Sequence, residues 1–207
     1  MSQTWAWYKT IPQQVATDYE LKPTKPVILG EGAYEEGPEY PTGPITPLIV
    51  RKQAYWTYLS GGFFTYGHND MWRKNPTWKE SLHSEGAQDM RLLRRLFDAL
   101  PWWNLVPAQS LFVAGQGSGT TYNAAAVSSA RTWAMVYLSS STTVKLQLDR
   151  LKGPRLNVTW INPATGQRIR KASCSSIGVK SFIAPDGWPD ALLLLQRKPL
   201  LAAKATQ

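Results

Sequence analysis

The sequence predicts two units of different class, an α/β piece followed by an all-β sandwich. Two short apolar runs, residues 27–30 (VILG) and 63–66 (FFTY), lack polar alternation and flank a segment with clear helix-start and helix-stop signals. Runs of that kind suit strands covered on both faces, as in parallel sheets. After Tyr122 the pattern changes to short strands separated by turn residues, which is how antiparallel sandwiches are written.

Taken in order, residues 2–21 hold weak helical signals, with Trp5, Tyr8, Val15 and Tyr19 irregularly spaced and Pro12 interrupting them. They read as helix remnants and loop. Pro23 and Pro26 bracket the entry to the first strand, and residues 32–45 are dense in Gly and Pro but also rich in Glu and Tyr, as expected of a working loop over a pocket. A helix starts at Thr46, a capping residue followed by Pro47, with Ile45 placed to staple onto Val50. Its inner face is Leu48, Val50, Ala54, Tyr55, Tyr58 and Leu59, with Arg51 and Lys52 outward. Gly61 and Gly62 end it and begin the second strand. Thr77 and Glu80 have capping-box spacing for a short turn. A longer helix over 86–100 carries an apolar stripe of Met90, Leu93, Leu96, Phe97 and Leu100 and stops at Pro101.

Pro107 and the glycines at 115, 117 and 119 mark residues 106–119 as a linker. Strands are expected over 124–127, 133–138, 143–148, 156–161, 180–183 and 191–196. The units are therefore 1–105 and 120–207.

Composition narrows the function classes. Charge is uneven: net −3 over residues 1–44, +4 over 45–144 and +8 over 145–207. The basic last third suits a polyanion, yet its densest cluster is only Arg168, Arg170 and Lys171, and no nucleic-acid motif accompanies it. One Cys, Cys174, and two His leave no cysteine-based metal cluster or intrachain disulfide and little for zinc. The apolar run 191–195 is far shorter than the ~20 residues a membrane helix needs, and the first eight residues lack the form of a secretory signal. Ten Trp offer flat faces for sugars or protein partners.

The chemistry gathers at the two strand ends. Glu31 directly follows the first strand, and in α/β barrels such residues face the active site. A carboxylate there serves glycoside cleavage, where two carboxylates flank the scissile bond; the plainer reading is a residue that caps the following loop or pairs with a nearby basic residue such as Lys25. The second strand runs into Tyr66, Gly67, His68, Asn69 and Asp70, then Trp72. Gly67 lets backbone approach a ligand, the polar residues hydrogen-bond sugar hydroxyls, and Trp72 either stacks on a sugar or fills the core. His83 reads as a surface residue, Cys174 as packing, and the Asn157–Thr159 sequon falls inside a predicted strand.

The stretches KPVILGEGAYE, RKQAYWTYLSGG, FTYGHNDMW and GAQDMRLL with LPWW resemble the second half of apiosidase-like glycoside hydrolases. The later VYLSSSTTVKLQLDRLKG, VTWINPATGQ and FIAPDGWPDALLLLQR resemble the β-sandwich, labelled collagen-binding, that follows those barrels. The resemblance implies a partial (β/α)8 barrel, residues 27–30 and 63–66 being its last two strands, followed by an antiparallel β-sandwich. It implies that Glu31 is the catalytic carboxylate, the nucleophile, with Tyr34 and Glu35 in support and Tyr66, His68, Asn69 and Trp72 shaping the sugar site. It further implies an apiose-containing pectic polysaccharide as substrate, no cofactor, and family members that are secreted or periplasmic. Because the acid/base carboxylate of that family lies on an earlier strand, the chain reads as a C-terminal portion, inactive alone and completed by an upstream polypeptide. The competing readings are a polysaccharide- or matrix-binding sandwich with an α/β remnant, and a sandwich that only buttresses the barrel.

Overall fold

A computed structural model of the chain describes residues 2–3, 8–38 and 43–197. Trp5 and the end of the chain after Arg197 lie outside the described residues. The fold is mixed α/β with several sheets.

The α/β part contains β1 (Ser2–Gln3), α1 (Ile11–Glu20), β2 (Val27–Glu31), α2 (Pro47–Leu59) and β3 (Gly62–Phe64). The three strands form a parallel sheet in the order β1-β2-β3. Where helix remnants and loop were expected, α1 is continuous. Pro12 sits in its first turn, where the missing N–H has no partner to lose, and Ile11 and Val15, one turn apart, both bury. Burial of β2 and β3 on both faces is not found: Val27 and Leu29 bury against the helices, while Ile28 and Phe63 are each 43% exposed on the opposite face. On that face the Phe63 ring meets Trp102 edge-on, with centroids 6.1 Å apart.

Thr46 caps α2 by accepting the Ile49 amide, and Gly61, at φ +95°, lets the chain turn into β3. The short α3 (Asn69–Arg73) and the longer α4 (Glu85–Asp98) follow. Thr77 does not build the expected capping box; its hydroxyl goes to Asp70 Oδ2 at 3.2 Å.

The all-β part comprises β4 (Leu105–Pro107), β5 (Phe112–Ala114), β6 (Ala124–Ser128), β7 (Trp133–Leu138), β8 (Thr143–Gln147), β9 (Arg155–Ile161), β10 (Arg168–Ser175), β11 (Val179–Ile183) and β12 (Ala191–Arg197). They form a six-stranded antiparallel sheet, β10-β9-β12-β7-β6-β4, and a three-stranded one, β11-β8-β5. Residues 106–119 are thus not a plain linker: β4 joins the larger sheet beside β6, and β5 the smaller beside β8. Their three-residue lengths leave too little alternation to register as strands. The sequence also hides β10, an edge strand whose Arg168, Arg170 and Lys171 are exposed; charge of this kind blocks edge-to-edge pairing and removes the apolar pattern at once.

Two buried clusters share the six-stranded sheet. Ala134, Val136 and Leu138 of β7 face Val144 and Leu146 of β8 in one cluster, while Met135 and Tyr137 join Tyr55 and Trp56 of α2 in the other. Covered on both faces, β7 reads as six consecutive apolar residues.

Helix α2 is therefore an interior helix, and Arg51, expected outward, is only 3% exposed. Its Nε and Nη2 donate to the two oxygens of Asp190, each at 3.0 Å, and its Nη1 to Asp89 Oδ2 at 2.7 Å. Tyr137 donates to Asp190 at 2.7 Å, and its ring stacks on Tyr55 with centroids 4.6 Å apart.

Two carboxylates sharing one guanidinium leave a net negative charge in the interior. Burial accordingly pushes Asp89 up to about 6 despite Arg51, with Glu85 and Asp190 adding to the rise. A carboxyl raised in the folded state stabilises most below its unfolded pKa, and that stability is lost as pH rises through about 6. Unfolding free energies of the protein and of Asp89→Asn are expected to diverge between pH 4.5 and pH 7.5, the wild type losing about 2–3 kcal/mol relative to the variant. A pH-independent difference would contradict this assignment.

Candidate active site at the carboxyl ends of β2 and β3

The register Val27↔Gly62, Ile28↔Phe63, Leu29↔Phe64 runs β2 and β3 side by side in the same direction. Glu31 and the segment 65–70 therefore leave the sheet at one end. Pairing continues past the strands: Glu35 donates its amide to Gly67 O at 3.0 Å, and Asn69 donates to Glu35 O at 2.9 Å.

Glu31 is fixed by backbone contacts on both sides. The Thr65 hydroxyl lies 2.7 Å from the Gly30 carbonyl just before it. After it, Gln53 on α2 accepts the Ala33 amide at 2.7 Å and donates to the Ala33 carbonyl at 3.0 Å. A Cβ on Gly32 would fall 2.7 Å from Gln53 Oε1, so this clamp requires glycine. The part-buried Glu31 carboxylate accepts the Tyr34 hydroxyl at 3.2 Å. Sequence reasoning missed Gln53 and Thr65. A fully buried Gln among the apolar residues of α2 is the signal that marks Gln53.

Glu35 stands apart from Glu31 in character. It is 2% exposed, and its carboxylate receives three donors: Tyr66 OH at 2.5 Å, Ser84 Oγ at 2.8 Å and the Gly86 amide at 3.0 Å. It thus caps the first turn of α4, where negative charge is favoured. Burial raises the Tyr66 phenol, and the bond to Glu35 raises it further. A Cβ on Gly86 would stand 2.4 Å from Glu35 Oε2. Gly86→Ala, a change that elsewhere in a helix gains about 1 kcal/mol, is expected to cost about 2 kcal/mol here through this overlap. Thermal unfolding measures it, and a rise in Tm would contradict the cap.

His68 is buried and caps α3, its Nδ1 accepting the Asp70 amide at 3.2 Å. Its Nε2 lies 3.6 Å from Glu36 Oε2. Asn69 Oδ1 accepts Arg73 Nε at 3.0 Å. Asp70 is held below the usual carboxylate range, chiefly by Asn75 Nδ2 at 2.6 Å and also by Thr77. Glu36, His68 and Asp70 bring one ligand-type atom each within 4.8 Å of one another, but His68 Nδ1 and the Asp70 carboxylate are already engaged in these hydrogen bonds. Trp72 is not in the core: it is 62% exposed, with the Arg73 guanidinium 5.3 Å from its ring centroid. The space above Gly67 is filled by the Tyr34 ring, 2.5 Å from where a Cβ would stand, so that glycine serves Tyr34 and not an approaching ligand.

The strand ends thus assemble one part-buried carboxylate on a fixed backbone, a second carboxylate used as a helix cap, and an exposed aromatic–cation pair. A cavity of about 380 Å³ between Lys25, Val27, Gly62 and Trp102 lies at the amino ends of β2 and β3, away from Glu31.

A family model for the apiosidase-like catalytic domain matches residues 1–104. A second, described as "putative collagen-binding domain of a collagenase", matches residues 106–196. A solved glycoside hydrolase family 5 structure from Bacteroides vulgatus ATCC 8482 is 23% identical over 91% of this chain and 45% of its own, with a TM-score of 0.82. Another, of a glycoside hydrolase, is 24% identical over 91% of this chain and 46% of its own, also at 0.82. The chain spans less than half the length of either structure, and at these identities the likeness is one of fold. No curated protein matches.

Proposed function

Because the chain belongs to the apiosidase-like family, we propose that it forms the strand-seven and strand-eight part of a glycoside hydrolase barrel, with Glu31 as nucleophile. The observation that carries this is the Glu31 carboxylate, borne on backbone held at Gly30 and Ala33, at the carboxyl end of a parallel strand. One Glu31 oxygen attacks the anomeric carbon as the bond from that carbon to the leaving oxygen breaks. The leaving oxygen takes a proton from a second carboxyl group, and water later cleaves the glycosyl ester. Tyr34, donating to Glu31, orients the attacking carboxylate. Glu35, Tyr66 and His68 support the rim from behind, while Asn69 and Trp72 contact the sugar. The substrate is an apiose-containing pectic chain.

The second carboxylate comes from a strand outside this part of the barrel. On the described rim, Glu35 and Asp70 are consumed by three donors and by the 70–81 loop respectively, which leaves the exposed Glu36 beside His68. The face bearing the exposed Ile28 and Phe63 is where the remaining strands pack. Residues 106–197 form the accessory sandwich, and the Arg51–Asp190 pairing favours a buttressing role for it.

The test is hydrolysis of apiose-containing pectic oligosaccharides by the chain alone and by a fusion supplying the family strands that precede β1. Activity is expected from the fusion only. A fusion that folds and releases no sugar, or a chain equally active alone, would count against the reading.

A further inference from the structure

The all-β part carries a second feature suited to a ligand. A cavity of about 330 Å³ opens where β4, the β6–β7 turn and the segment after β8 meet. Val106, Pro107, Leu111 and Val127 give it apolar walls, and Ser110 and Ser129 contribute hydroxyls, while the buried Ser128 hydroxyl is held within the turn by the Thr132 and Trp133 amides. Its charged lining is Arg131 and Arg150, with no acidic residue among the residues that line it.

Neither guanidinium is paired with a carboxylate among the described residues. Arg150 donates only to Ser110 Oγ, at 2.9 Å. Its neighbour Asp149 is engaged elsewhere, accepting the Gly178 amide at 2.8 Å and the Gln147 side chain. Arg131 stands in a clamped turn: its amide donates to Ser128 O and its carbonyl accepts the Lys152 amide, both at 2.7 Å. Arg131 is thus presented from fixed backbone, and among the described residues neither arginine has a carboxylate counter-ion. Planar guanidinium donors match a carboxylate fork, and apolar walls with a few hydroxyls match the face and edge of a sugar ring.

We propose that this cavity binds a uronate unit of an acidic glycan, its carboxylate held by Arg131 and Arg150 and its hydroxyls by the serines. It would anchor acidic substrate at a place separate from the Glu31 rim. The proposal rests on the carbohydrate-acting reading above.

Calorimetric titration of the full chain with trigalacturonate, with a neutral galactose trisaccharide and with inorganic sulfate is the test. Expected are trigalacturonate binding that weakens with salt, neutral binding at least about tenfold weaker, and a loss of about tenfold or more in Arg131→Ala/Arg150→Ala at unchanged Tm. Glu31→Gln is expected to bind trigalacturonate as the wild type does, which separates this site from the rim. Equal affinity for the neutral sugar, undiminished binding by the double variant, or sulfate binding without trigalacturonate binding would each overturn the proposal. Trigalacturonate binding alongside an inactive barrel fusion would leave this site standing and remove the catalytic reading.

Discussion

Arg51→Met is expected to destabilise the protein by about 3–5 kcal/mol, because it strands Asp89 and Asp190 in the interior without their cation. For a chain of this size that lowers Tm by roughly 10 °C. Arg51→Lys should recover only part of the loss, since an ammonium cannot reproduce the fork that meets both Asp190 oxygens at 3.0 Å. The position of the pairing makes it a statement about organisation as well as energy. Arg51 lies on α2, Asp89 on α4, and Asp190 just before β12, so one side chain ties the α/β part to the sheet behind it. The Tyr55–Tyr137 stack and the Trp56 indole, which donates to Tyr122 O at 2.8 Å, reinforce the same seam. A single unfolding transition for the whole chain is expected, shifted as one by Arg51→Met. Two transitions, of which only one moves, would contradict that organisation.

Glu31→Gln, placed in the barrel-completing fusion, is expected to reduce hydrolysis by at least about 10³-fold while leaving Tm within about 1 °C. The hydroxyl that Tyr34 donates can still be accepted by the amide oxygen. Glu35→Gln should behave in the opposite way. An amide turns one of its two acceptor positions into a donor, in a site where Tyr66, Ser84 and Gly86 all donate, so about 2–3 kcal/mol of stability is lost. Two glutamates four residues apart thus separate into one that reacts and one that builds. Equal losses of stability in both variants would erase the distinction.

What the sequence reveals depends on how far away the cause lies. Thr46, Pro47 and the α4 stripe declare their helices within a single turn, and both appear where expected. Glu31 is legible as a strand-end acid because strand and acid are adjacent. Arg51 is not, since its partners lie 38 and 139 residues away; an Arg followed by Lys52 and Gln53 reads as part of a solvated face and gives no sign of the two aspartates that make burial tolerable. The same distance hides the role of Glu35, whose donors come from 31 to 51 residues downstream. β10 escapes for another reason: edge strands are protected by charge, and charge erases the alternation by which strands are found.

The most direct measurement is the site of covalent labelling when the completed enzyme is incubated with a substrate analogue bearing fluorine beside the anomeric carbon, which slows breakdown of a glycosyl ester. Peptide mass spectrometry should then find one glycosyl group, carried by Glu31. Continued turnover with no label, or a label on Glu35 or Glu36, would contradict the assignment of Glu31 as nucleophile.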